Sequence, residues 1–197
     1  MTAVFTALAT SLDGYITGPD ATPRQPLGVG GSVLFDWYGS GDTQSVAYPT
    51  FRLHPVSAQV FDAIAARTGA VIAGRKTYDD VHGWDGTGPH PSAALFVVSR
   101  RSAPETATPQ QTFVASFDEA LRLAAEAAGA KDIALMGSGP VAAALTTGLI
   151  DEVIVHQVPV LLGGGTRLFT STSSRALHIH DVATAPDVTH LTYRLEH

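Results

Sequence analysis

One stretch constrains this chain more than any other. Ile133-Ala134-Leu135-Met136 is followed at once by Gly137-Ser138-Gly139-Pro140 and then by the Ala-rich run Val141 to Thr147. A short apolar run bounded by glycine reads as a buried strand. Proline suits the first position of a helix, where its missing N–H has no partner to lose. Pro140 is therefore expected to open a helix that continues over Val141 to Thr147. A strand that turns on glycines into a helix N-terminus presents bare N–H groups and the positive end of the helix dipole, which suit a phosphate. In this reading Gly137 and Gly139 are both needed, since a side chain at either would fill the phosphate space or strain the turn. Tight turns that hold no ligand use glycine as well, so the neighbouring segments have to decide.

The remaining segments suggest one α/β unit. Val4 to Leu12 reads as a buried first strand, Asp13-Gly14 breaks it, and Tyr15-Ile16-Thr17 resumes. Residues 18–55 are rich in glycine, proline, aspartate and serine, with Leu34-Phe35-Asp36-Trp37-Tyr38 as the only apolar knot. A segment of that length with little structure of its own is expected to be a lid or a linker, and the flanking strands favour a lid. Val60, Phe61, Ile64 and Ala65 mark a helix over Ser57 to Arg67. Strands follow at Ala70 to Ala73, Leu95 to Val98 and Thr112 to Val114. Ser116 and Glu119 form a capping box for a helix over Phe117 to Ala128, with Leu121 and Ala125 on one face. Asp151 to Leu162 predicts a long strand that Pro159 places at an edge or bulge. Leu177 to Ala183 and Val188 to Leu195 predict a closing hairpin. Strands alternating with helices and then pairing at the end imply a largely parallel sheet with antiparallel strands at one edge.

Composition narrows the function classes. Twelve basic against eighteen acidic residues give a net charge of −6, and no basic stripe is present, so nucleic acid is not an expected partner. With no cysteine, disulfides, thiolate catalysis and Cys-ligated zinc are excluded. The eight histidines include His178 and His180 on one strand face but no third ligand at metal spacing, so no metal is expected. The absence of a basic leader or an apolar span points to a cytoplasmic chain, with no membrane partner and a small molecule as ligand.

Three strands end in similar polar turns: Gly74-Arg75-Lys76-Thr77, Ser99-Arg100-Arg101 and the turn at Gly137. Ligands of open α/β sheets collect at the carboxyl ends of strands, and two pairs of cations beside a helix N-terminus could clasp a polyanion with two or three phosphates. No nucleophile and base pair stands out. Asp13, Asp36 and Trp37 lie beside or within residues 18–55 and are candidate substrate contacts, although Asp13 also suits a simple turn before Gly14.

Ser11-Leu12-Asp13-Gly14-Tyr15-Ile16, Val71 to Tyr78, Gly137-Ser138-Gly139-Pro140, and Ile150-Asp151-Glu152-Val153 through Pro159 to Gly165 together resemble the dihydrofolate-reductase-like family. The nearest branch is that of the C-terminal reductase domain of the bifunctional riboflavin-biosynthesis deaminase-reductase. The resemblance runs over nearly the whole chain and implies a three-layer α/β/α domain spanning 1–197, with about eight strands, an insertion at 18–55, NADPH as hydride donor and a homodimer. It implies a reductase acting on a small heterocyclic or ribosylaminopyrimidine-type substrate; a non-catalytic NADP(H)- or nucleotide-binding protein on the same fold is the alternative. By position, Thr10 and Ile16 fall near the nicotinamide. Gly74, Arg75, Lys76, Thr77, Ser99 and Arg100 fall at the adenosine half and its 2′-phosphate. Gly137, Ser138, Gly139, Pro140 and Val141 fall at the pyrophosphate. Folate reductases carry a carboxylate early in the first long helix, where this chain has Ser57-Ala58-Gln59, with Asp62 a full turn later. The resemblance therefore does not extend to folate.

Overall fold

The computed structural model describes residues 2–170 and 174–196. The chain runs through β1 (Val4–Ser11), a 3-10 segment (Gly31–Gly39), a two-stranded ribbon of β2 (Thr43–Gln44) and β3 (Arg52–Leu53), α1 (Pro55–Arg67) and β4 (Thr68–Gly74). It continues through α2 (Arg75–Asp80), a second 3-10 turn (His82–Gly86), β5 (Ala94–Val98), β6 (Gln111–Val114) and α3 (Phe117–Ala128). Then come β7 (Asp132–Met136), α4 (Ser138–Thr147), β8 (Glu152–Val158), β9 (His178–Thr184) and β10 (Thr189–Arg194).

The eight long strands form one sheet in the order β6-β5-β4-β7-β1-β8-β10-β9. Every pairing from β6 to β8 is parallel, and β10 joins β8 and β9 antiparallel. The mixed, mostly parallel sheet read from the alternation of elements is thus the one observed. Parallel strands need both faces covered, and their near-continuous apolar runs record it. On one face, Ile72, Ile133, Leu135 and Val153 pack beneath α3 and α4. The opposite face is split between a cluster around Val71, Ala73 and Tyr78 and another around Ala9, Ala58 and Val158.

Several local expectations shift. The capping serine is as expected, with Ser116 Oγ accepting from the Glu119 amide at 3.2 Å. The buried stripe of α3, however, is Ala120, Ala124 and Ala128, and Ala125 is exposed. Small side chains let this helix sit close to β4, where a Cβ on Gly69 would stand 2.8 Å from the Ala128 backbone. On α1 the fully buried residues are Ser57, Ala58 and Ala65. β8 stops at Val158, because Pro159 has no N–H to offer the ladder.

The segment 18–55 is more structured than its composition suggests. Leu34 and Leu53 are wholly buried and Trp37 is 1% exposed. Tyr38 stacks on Phe51 at 4.6 Å between centroids, and Trp37 meets Phe61 edge-on at 5.8 Å. The carboxylate of Asp62 holds the segment to α1, accepting from Ser45 Oγ at 2.5 Å and from the Val46 and Ala47 amides at 2.9 and 3.2 Å. Burial would raise the Asp62 pKa, but these hydrogen bonds outweigh it and hold the group below its usual value. Glycine and proline supply the turns here, while a few large side chains supply a core.

Candidate functional site

A groove of about 370 Å³ opens at the carboxyl ends of β4, β5 and β7, within the size range of small-molecule sites. Its lining combines Ile16, Thr17 and Thr166 from one side, Gly74, Arg75, Lys76, Thr77 and Asp80 from α2 and its approach, and Ser138, Gly139 and Pro140 from the start of α4. Val98 closes it on the β5 side. Eight of the residues singled out in the sequence thus meet in one place.

The glycine turn differs in detail from its expectation. The helix begins at Ser138, so Pro140 occupies its third position rather than its first. No side chain caps this end, leaving backbone donors of the first turn without partners from a cap. Gly137 has φ +89 and ψ 158, a region essentially reserved for glycine, and an added Cβ would stand 2.3 Å from Thr77 Oγ1. Gly139 is different. It is helical, and a Cβ there would meet nothing within 4 Å. Backbone strain therefore constrains Gly137 alone, and Gly139 matters only for what occupies the groove. Val141 is fully buried in the core beneath α4, and Thr10 is buried in β1 opposite Gln157, so neither lines the groove.

The cations are not free. Arg75 Nε donates to Asp79 Oδ1 at 2.8 Å, and Arg75 Nη1 donates to Ser102 O at 2.8 Å and to Ser99 Oγ at 3.3 Å. Arg101, rather than Arg100, joins the cluster, donating from Nη2 to Asp79 Oδ2 at 2.7 Å. Arg100 is exposed. Lys76 pairs with Asp80 at 2.5 Å. Partial burial of the Asp79 carboxyl would raise its pKa, but the hydrogen bonds and charges of the two arginines prevail and hold it below the usual range.

The expected substrate contacts are placed elsewhere. Trp37 lies in the second core, its indole Nε1 donating to Leu34 O at 3.0 Å, and Asp36 is exposed on the same 3-10 segment. Asp13 accepts from the Leu162 and Gly163 amides at 3.1 and 2.8 Å and so clasps the end of β1 to the loop beyond β8. Hydrogen bonds from Ser11 and from those amides lower its pKa to about 2.

The sequence reading missed a buried polar cluster under Trp37. His156 on β8 and His190 on β10 are directly opposed, with their Nδ1 atoms 2.8 Å apart, and His190 Nε2 lies 2.9 Å from Ser57 Oγ. Trp37 packs against both imidazoles at 5.3 Å. Burial and mutual repulsion push His156 down to about 3; burial pushes His190 down to about 4, partly opposed by Asp187. The pair is neutral at ordinary pH. The available signal was a histidine inside the apolar run Val153 to Val158, which demands a buried partner. Ser57, one residue from the Ala58 position at which the resemblance to folate reductases would place a carboxylate, is spent on this cluster. Among the described residues no group of three metal-ligating side chains converges. His178 pairs instead with Glu196 at 3.2 Å on an exposed edge.

The sheet order defines a mixed, mostly parallel α/β domain of the dihydrofolate-reductase-like fold, with the groove at the carboxyl ends of its parallel strands. The family model of the RibD C-terminal domain matches residues 2–192, and the chain belongs to that family. Among solved structures, a protein of Shewanella sp. PV-4 assigned to riboflavin biosynthesis is 24% identical over 100% of both chains, with a TM-score of 0.74. Acinetobacter baumannii RibD, in two forms, is 20% identical with TM-scores of 0.61. It covers all of this chain, which spans 58% and 59% of the two RibD chains. No curated protein matches by sequence. None of the helices among the described residues is long and apolar enough to cross a membrane.

Proposed function

We propose that this chain is an NADPH-dependent reductase that delivers hydride to a C=N or C=O bond of a small heterocyclic or ribosylaminopyrimidine-type substrate, as 5-amino-6-(5-phosphoribosylamino)uracil reductases do. The observation that carries the reading is the groove that joins the uncapped start of α4 to Arg75. The residues present fit a dinucleotide. The amides of the first turn of α4 would hold the pyrophosphate beside the glycine cradle at 137, and the open space over Gly139 leaves room for it. Arg75 and Ser99 would hold the 2′-phosphate, while Ile16 and Thr17 border the other end of the groove.

When bound, NADPH supplies the hydride. This chain's part is to orient the two reactants and to exclude water between them. Asp80 is the one carboxylate of the groove lining, and Lys76 already holds it. The proton that accompanies the hydride is accordingly assigned to solvent. A cytoplasmic homodimer acting on a small molecule, without nucleic acid or membrane, completes the proposal.

The test is NADPH oxidation by the purified chain across ribosylaminopyrimidines, pterins and small carbonyls. Steady turnover of a ribosylaminopyrimidine with negligible turnover of dihydrofolate is the expected result. Tight NADP⁺ binding with no turnover on any of them would instead support the non-catalytic alternative. Size-exclusion with light scattering tests the dimer.

A further inference from the structure

Two arginines facing a phosphate would ordinarily be read as a site of net charge +2. Here Arg75 and Arg101 converge on one carboxylate, that of Asp79, which binds a different oxygen to each. Arg75 is also pinned by Ser99 and Ser102, and its side chain is only 15% exposed, so its direction is set before any ligand arrives. Arg75 Nη2 and Arg101 Nε and Nη1 retain N–H groups with no partner among the described residues. The cluster therefore keeps donors for an anion but carries a net charge of +1.

We infer that Asp79 is a resident counter-ion of the 2′-phosphate site, and that it sets how strongly a phosphorylated nicotinamide dinucleotide is preferred over the unphosphorylated one. The inference rests on the reading of the groove as a dinucleotide site. A 2′-phosphate brings close to two negative charges and is repelled by the carboxylate that holds the arginines. A ribose 2′-hydroxyl in the same place would instead find an acceptor, the acidic pattern that serves unphosphorylated dinucleotides. One carboxylate thus acts against the first ligand and for the second. Asp79 also holds the two guanidiniums together, but the Arg101 pair is exposed and contributes little, and Arg75 stays pinned by Ser99 and Ser102 without it, so the charge effect is the one that remains to be read. Arg101 enters the site through Asp79 and Ser99 Oγ, which accepts from the Arg101 amide at 3.0 Å; neighbouring Arg100 does not.

Calorimetric titration of the full chain with NADP⁺ and with NAD⁺ tests this, at low and high salt, with melting temperature as the folding control. Asp79→Asn should bind NADP⁺ about fivefold more tightly, the order expected on removing one partly screened like charge. NAD⁺ should bind equally or more weakly, and the gain for NADP⁺ should shrink at high salt. Arg101→Ala should weaken NADP⁺ alone, and Arg100→Ala should change neither ligand. An Asp79→Asn variant that binds NADP⁺ no better than the wild type, or gains equally for both ligands, would overturn the role of Asp79. If in addition Arg75→Ala leaves both affinities unchanged, the groove reading itself fails. If Arg75→Ala still removes the NADP⁺ preference, only Asp79 was misassigned.

Discussion

The groove at α2 and α4 and the core beneath Trp37 handle polar groups in opposite ways. At the groove's edge, Arg75 of the lining pairs with Asp79, which also pairs with Arg101, and all three are partly exposed. Beneath Trp37, His156, His190 and Ser57 are sealed from water and neutral. Exposed ion pairs are worth little and exchange readily for a ligand, whereas a buried polar cluster must stay fully partnered. The first region is built to change partners and the second to keep them. Residues 31–53, within the segment 18–55 expected to be a lid, form a wall of the sealed region through Leu34, Trp37 and Leu53.

The largest effect that would break this contrast is loss of the wall. Trp37→Ala should lower unfolding free energy by about 3–5 kcal/mol, the usual cost of truncating a buried aromatic. A denaturant midpoint close to that of the wild type would show that residues 31–53 are not part of the core. The next effect is a pH dependence. Unfolded histidines take up protons below about 6.5, whereas in the fold His190 and His156 resist until about 4 and about 3. Between these limits the unfolded state binds more protons, so stability rises with pH. The contribution is complete above about 6.5 and is lost progressively as pH falls to about 4 for His190 and about 3 for His156. His190→Gln should flatten that slope, and an unchanged slope would move its origin elsewhere.

The glycine turn sharpens the contrast from the groove side. Gly137→Ala forces a side chain into a glycine-only conformation against Thr77, at about 1–3 kcal/mol of stability. If the variant melts with the wild type, the conformation at 137 is not required. Arg75→Ala should weaken NADPH binding by about tenfold or more while sparing NADH, since charge-assisted hydrogen bonds are each worth about 1.5–3 kcal/mol. Equal losses for both would detach Arg75 from the 2′-phosphate.

What was legible in the sequence follows the same division. The strand ends at Gly74, Ser99 and Gly137 announce themselves through local chemistry, because glycines and cations in turns carry their meaning without tertiary context. A mostly parallel sheet with an antiparallel edge likewise follows from alternating elements and a closing hairpin. Pairings across the chain were not legible. Asp79 looks like a later acid on α2 until the fold swings Arg101 over it, 22 residues away. His156 and His190 become partners only when β10 aligns with β8. Residues 18–55 misled because composition counts residues equally, while a few large side chains, with Leu34, Trp37 and Leu53 at their centre, decide where the segment packs.

The central claim is that the groove at the start of α4 holds a dinucleotide, and Gly139 tests it most directly because a Cβ there meets nothing within 4 Å outside its own helix. Calorimetry of NADP⁺ binding to Gly139→Val should show an affinity loss of at least about tenfold, roughly 1.4 kcal/mol, with an unchanged melting temperature. A folded Gly139→Val variant that binds NADP⁺ as tightly as the wild type would contradict the claim.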